Sequence, residues 1–284
     1  MSLKIPVEDR KSTYPGRVVL TPVAGETNTY DMTRADVPIN EGTPINKELF
    51  DSKAYTLTED VTVHVSPEGN DLSGDGSVEA PFQTIQKAVD AIPKHLGGFT
   101  AHVNIDWGVY AERVVVEGFG AGKLILGTDS ASCFIQGGID INSCSNVELR
   151  ISQIEALESS SVPLIDVTGG SNVFIRKSLT LDAKSLVTVG LRVNDGSVVS
   201  ADDVAYVTIS NCTTIPVIAT YCSLVSFGTI KGSGNMFGMS ATRGGIISFT
   251  TDELGREWSN LADSGGLILT GNNSSDLSDA TLDL

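Results

Sequence analysis

Two pentapeptides, Ser145-Asn146-Val147-Glu148-Leu149 and Ser171-Asn172-Val173-Phe174-Ile175, stand 26 residues apart. Ile139-Asp140-Ile141 and Ile165-Asp166-Val167 repeat at the same offset. Two elements that share one offset point to a unit of chain stacked on the next. Each unit is a short apolar run bounded by Gly, Asn, Ser or Asp, the pattern of a buried strand between turns. Leu164–Val167, Val207–Ile209 and Ile246–Phe249 extend the series. From residue 100 to about 250, at ~22–26 residues per unit, about six or seven coils are expected. At the usual strand spacing of about 4.8 Å, such a stack is about 30 Å long. Later offsets vary, so loops of unequal length must leave the stack between strands. Aromatic residues make up only 6% of the chain against 29 glycines, a balance that suits short strands and tight turns better than a helical bundle.

Ahead of the repeats lies Pro81–Val116. Ile85, Ala88, Val89 and Ile92 fall at i, i+3, i+4 and i+7, one apolar helix face running into Pro93. A Gly97-Gly98 break follows, then an alternating strand, Gly108-Val109-Tyr110-Ala111-Glu112, and a run of valines. A solenoid needs such a helix physically, because an uncovered terminal coil shows apolar side chains and unpaired strand edges. This order resembles the N-terminal cap and first coil of right-handed parallel β-helix proteins of the pectin-lyase-like class. The resemblance implies an all-β fold: a right-handed, single-stranded parallel β-helix with an N-terminal capping helix and an extended N-terminal arm. The expected division is 1–55 for the arm, 56–99 for a strand and the capping helix, 100–270 for the β-helix, and 271–284 for a polar, acidic tail.

Within residues 1–55, Arg17–Val23 reads as a strand, and Thr43-Pro44 reads as a helix start with Thr43 as N-cap. Such an arm is too small to fold alone. Its text from Gly16 to Asp51, most specifically Glu41–Lys47, resembles a leader segment of tail and baseplate-associated proteins from phages and prophages of Gram-positive bacteria. That resemblance implies attachment of residues 1–55 to tail or baseplate proteins, a place in the virion tail, and a homotrimer. It also implies a structural or receptor-binding role toward a host-surface glycan or protein. A tailspike-like polysaccharide hydrolase or lyase is the alternative. A bacterial surface adhesin is a further one, disfavoured because MSLKIPVEDRKSTYPGR has no apolar signal core.

A formal net charge of −16 repels DNA, RNA and anionic membranes, so no nucleic-acid partner is expected. No run of about 18 apolar residues exists, so no membrane insertion is expected either. Cys133, Cys144, Cys212 and Cys222 form no CxxC pair, which points to small buried thiols rather than a disulfide or zinc site. The loop Asn70–Gly76 lacks the alternating ligands and closing Glu of an EF-hand; neither a metal nor another cofactor is expected.

The helix and Gly108–Glu112 also resemble the opening of pectin methylesterases. That family's catalytic Asp and Arg segments are missing: Cys133-Phe134-Ile135-Gln136-Gly137 stands where an Asp-Phe-Ile-Phe-Gly-like strand would. The motifs of polygalacturonases and pectate lyases are missing too. Arg176, Arg192 and Arg243 are scattered, and His64, His95 and His102 all precede the main stack. Glycoside hydrolysis needs only two suitably spaced carboxylates. Asp202 and Asp203, the one Asp-Asp pair, are the catalytic candidates, with a solvated turn as the plainer reading of Ser200–Asp203. Trp107 and Tyr110 are the candidate ligand-binding residues, as a sugar-stacking platform; packing against the capping helix is the competing role for Trp107.

Overall fold

The structure, a computed structural model, describes residues 11–12, 18–22, 30–34, 38–40, 56–130, 132–202, 205–256 and 259–270. The chain divides into two compact units, Ser2–Ala54 and Tyr55–Leu284. In the smaller one, Val18–Pro22 pairs antiparallel with Tyr30–Arg34, and Lys11–Ser12 pairs antiparallel with Pro38–Asn40. The helix start expected at Thr43 lies outside the described residues.

The larger unit is a parallel β-solenoid with three faces. Its first face stacks Val61–Val65, Thr100–Ile105, Lys123–Gly127, Val147–Arg150, Asn172–Ile175 and Val198–Ala201. The leading parts of Leu224–Asn235 and Ile246–Arg256 continue it, and Leu267–Thr270 follows. The second face runs through Gly108–Tyr110, Cys133–Gln136, Gln153–Glu155, Leu179–Asp182 and Tyr206–Ser210 to the trailing parts of those two long strands. Arg113–Glu117, Gly138–Asn142, Ile165–Thr168, Val189–Val193, Ile215–Ala219, Ser240–Ala241 and Leu261–Ala262 form the seven rungs of the third.

The 26-residue echo in the sequence is one full coil. Val147 lies in register with Val173, and Ile139 with Ile165. Later coils shorten: Val225 pairs with Ile247 and Ile247 with Ile268. The physical reason is visible in the strands. Leu224–Asn235 and Ile246–Arg256 pass from the first face to the second without leaving the sheet, so the connecting loop is lost.

Alternation along each strand supplies the core. Leu124, Val147, Val173, Val199, Val225 and Ile247 form one inward column in register, all buried. Each such side chain contributes about 1.5–3 kcal/mol on burial. Serines line the return corner from third face to first. Ser171 Oγ accepts from Cys144 N (3.0 Å) and Ser197 Oγ from Ser171 N (3.1 Å), and both serines are buried.

That corner repeats one turn. Thr168-Gly169-Gly170-Ser171, Asn194-Asp195-Gly196-Ser197, Thr220-Tyr221-Cys222-Ser223, Thr242-Arg243-Gly244-Gly245 and Asp263-Ser264-Gly265-Gly266 each hold both central residues at positive φ. Two central residues at positive φ are the mark of the tight primed turns that match strand twist. Closing hydrogen bonds are present, such as Ser197 N to Asn194 O (3.1 Å) and Gly266 N to Asp263 O (2.8 Å). Cys222 sits in this corner and is exposed, whereas Cys133, Cys144 and Cys212 are buried as expected of small core thiols.

Ile85–Ala91 is helical and packs against the earliest rungs, Val61–Val65, Thr100–Ile105 and Arg113–Glu117. Ile85, Ala88 and Val89 are its buried residues. Two carboxylates hold its start. Asp71 accepts from Gln83 N (2.7 Å), Thr84 N (3.1 Å) and the Thr84 hydroxyl (2.7 Å); Glu112 accepts from Ile85 N (2.8 Å) and Gln86 N (2.9 Å). Negative charge is stabilising there because the first helical N–H groups lack partners. The helix stops at Ile92, which is extended because the following Pro93 disfavours the α region.

Candidate functional site

One edge of the solenoid carries Glu68, Asp106, Trp107 and Asp202. It is the corner between the first and second faces, where each strand hands over to the next. Ser66-Pro67-Glu68 leaves the strand Val61–Val65 there. Asp106-Trp107 joins Thr100–Ile105 to Gly108–Tyr110, and Asp202 follows Val198–Ala201. Trp107 and Asp202 therefore lie on the same edge, four rungs or about 19 Å apart. That separation is too long for shared bond chemistry and suits a ligand of several units.

Trp107 is 72% exposed. It borders a groove of about 590 Å³ lined by Ser66, Pro67, Glu68, Asp106, Gly108 and Val109. The groove has its shape because Pro67 packs directly on Gly108, where any Cβ would overlap the proline ring. Tyr110 is buried instead. Its hydroxyl donates to the Asp106 carbonyl (3.0 Å), with the Val65 carbonyl at 3.4 Å, and burial pushes its phenol well above the ordinary value. Tyr110 is thus a brace beneath the loop that carries Trp107, with its ring away from the surface. Glu68 and Asp106 were not singled out by the sequence. Both are exposed, and among the described residues neither has an ion-pair partner.

Further along, the corner turns charged on both signs. Glu148 is buried between Lys123 Nζ (3.2 Å) and Arg150 Nη2 (2.5 Å), and Arg150 Nη1 reaches Asp129 (2.9 Å). Burial pushes the Glu148 carboxyl up, but the hydrogen bonds from Arg150 and Lys123 outweigh it and hold the group below the ordinary carboxylate value. Asp202 pairs with Arg176 (3.5 Å), whose guanidinium lies over the Phe174 ring at 5.8 Å. Ala205 N donates to the Asp202 carbonyl (2.9 Å), a turn hydrogen bond. Asp203 lies outside the described residues.

Pairs of neighbouring carboxylates do exist on the other faces. Asp140 and Asp166 are in register on the third, each held by an arginine: Arg113 Nε to Asp140 (2.8 Å) and Arg192 Nε to Asp166 (2.9 Å). Glu155 and Asp182 are in register on the second. Lys184 Nζ (2.8 Å) and Gln136 Nε2 (2.5 Å) bind Glu155, and together they overcome burial to hold its carboxyl below the ordinary value. A general acid needs the reverse, a carboxyl raised toward neutrality. Burial does raise the Glu112 carboxyl, yet both its oxygens are committed to the helix start. These pairs are braces between rungs.

Among the described residues, no group of three or more His, Cys, Asp or Glu is placed to hold a metal ion, and no helix is long and apolar enough to cross a membrane. No protein-family model, curated protein or solved structure matches the chain.

Proposed function

We propose that this chain is a glycan-recognising β-solenoid, mounted as a receptor-binding or structural component on a phage or prophage tail. The observation that carries the recognition half is Trp107: a large indole exposed at 72%, beside acceptor carboxylates, on a loop braced by Tyr110. A rigid exposed aromatic face with adjacent hydrogen-bond acceptors suits the apolar face and rim hydroxyls of a sugar ring. The mounting half rests on the likeness of Gly16–Asp51 to tail-associated leaders, and Ser2–Ala54 forming its own compact unit is consistent with it. Binding without cleavage fits a corner where Asp129 and Asp202 are each paired to an arginine.

The test is calorimetry with host wall polysaccharide. Wild-type protein binds, Trp107→Ala weakens binding by about tenfold or more, and no reducing ends or unsaturated products are released. Undiminished binding by Trp107→Ala refutes the assignment of the site. Turnover lost in Asp202→Asn replaces the binder with a tailspike-like hydrolase or lyase.

A further inference from the structure

The charge of the Trp107 groove selects its ligand. We infer that the glycan recognised there carries free, protonated amines, as in a de-N-acetylated amino-sugar polymer; this rests on the glycan reading above.

Three observations converge on it. Two exposed tyrosines elsewhere in the solenoid have cations of their own: Lys231 lies over Tyr206 at 4.5 Å and Arg243 over Tyr221 at 4.9 Å. Among the described residues no lysine or arginine covers Trp107, so its face is open to a cation from outside. Indole is the strongest of the aromatic faces for an ammonium group. Second, Glu68 and Asp106 line the same groove as Trp107, and among the described residues neither has an ion-pair partner, whereas Glu148, Glu155, Asp140, Asp166 and Asp202 are each held by a lysine or arginine. An ammonium donates three charge-assisted hydrogen bonds, the complement of a groove lined by carboxylates. Third, the net charge of −16 attracts a cationic polymer at long range and repels one rich in uronate or phosphate.

A sugar ring that lays its C–H face on Trp107 puts an amino substituent at the ring edge, within the groove that Glu68 and Asp106 also line. Acetylation removes both the charge and two of the three donors while leaving the stacking face intact. The contrast between free and acetylated forms therefore isolates the carboxylates.

Calorimetry with a glucosamine oligomer, its fully N-acetylated counterpart and an oligogalacturonate decides the matter, run at low and high salt on the full chain. The free-amine oligomer is expected to bind at least about tenfold tighter than the acetylated one, with the gap narrowing at high salt. Glu68→Gln with Asp106→Asn should erase that gap and leave acetylated binding in place. Trp107→Ala should remove both. All three positions are exposed, and circular dichroism checks that each variant keeps its β-structure. Equal affinity for the amine and acetamide forms, or tightest binding to the galacturonate, overturns this inference and leaves the glycan reading standing. Binding to none of the three sugars by folded protein overturns this inference; failure to bind wall polysaccharide as well overturns the glycan reading.

Discussion

The repeated corner between the third and first faces allows a sharp test, because its positions differ in what they cost. Gly196 has φ +71° and nothing within 4 Å of where a Cβ would go. Alanine there meets only the left-handed backbone penalty of about 1–2 kcal/mol, partly offset by about 0.4–1 kcal/mol from a stiffer unfolded chain. A net loss of about 1 kcal/mol is expected. Gly245, the closing residue of a later turn, faces the Ala219 carbonyl so closely that a Cβ would overlap it. Here the backbone must shift, and overpacking brings the cost of alanine to about 3 kcal/mol. Cys222 carries the penalty already, at φ +60° where the neighbouring coils place Gly196 and Gly244. Its side chain is exposed, so Cys222→Gly removes strain with little lost packing and should gain up to about 1 kcal/mol. Urea unfolding followed by circular dichroism reads all three as midpoint shifts at constant slope. If Gly196→Ala costs as much as Gly245→Ala, close approach of coils is not what distinguishes these positions. If Cys222→Gly destabilises, strain at this corner is the wrong account.

Other outcomes follow from charge and assembly. Glu112 has its carboxyl raised by burial, so the folded state holds that proton more tightly than the unfolded chain. Its contribution is present below the ordinary value of 4.5 and is lost as pH rises through the raised one. Glu112→Gln, which like the protonated acid offers one carbonyl acceptor, should therefore cost little in acid and gain on the parent as pH rises through the raised value. Glu148 behaves oppositely: its carboxyl is held low, so the stability it lends is present above 4.5 and lost as pH falls through the lowered value. Glu148→Gln should cost about 1 kcal/mol at neutral pH and nearly nothing in strong acid, read by the same unfolding experiment. If the chain assembles as a homotrimer, light scattering should give about 90 kDa against 29.9 kDa for one chain, and a clean monomer would end that idea.

The architecture was largely readable from the sequence, because a coil is a unit that repeats and register preserves it. Val147 and Val173 show this in the text and in space alike. The helix was readable too, since its apolar spacing and Pro93 are local signals. The third-to-first corner was not recognised, although five turns carry Thr, Asn or Asp first and Ser or Gly last. Two things hid it: Tyr221-Cys222 replaces the expected glycine, and the coil shortens just after that turn.

At the candidate site, Trp107 was found by residue type alone. Its neighbour Glu68 was missed because the helix Ile85–Ala91 interrupts the chain between rung partners Val65 and Ile105. Burial of Tyr110 follows from parity. It shares the inward side with Gly108, and Val109 between them faces out. Asp202's arginine partner sits one coil back, at Arg176, a neighbour that linear text does not reveal without the register.

The shortening of the last coils has a mechanical side. Dropping four or five residues per circuit shortens the covalent path from one rung to the next by roughly 15 Å at the strand rise. The residues lost belong to the connection between the first and second faces, while the inward column carries on: Ala241 stands where Ala219 stood a coil before, and both are buried. Pulled from its end, each late circuit therefore releases less chain as it peels away than a 26-residue circuit does.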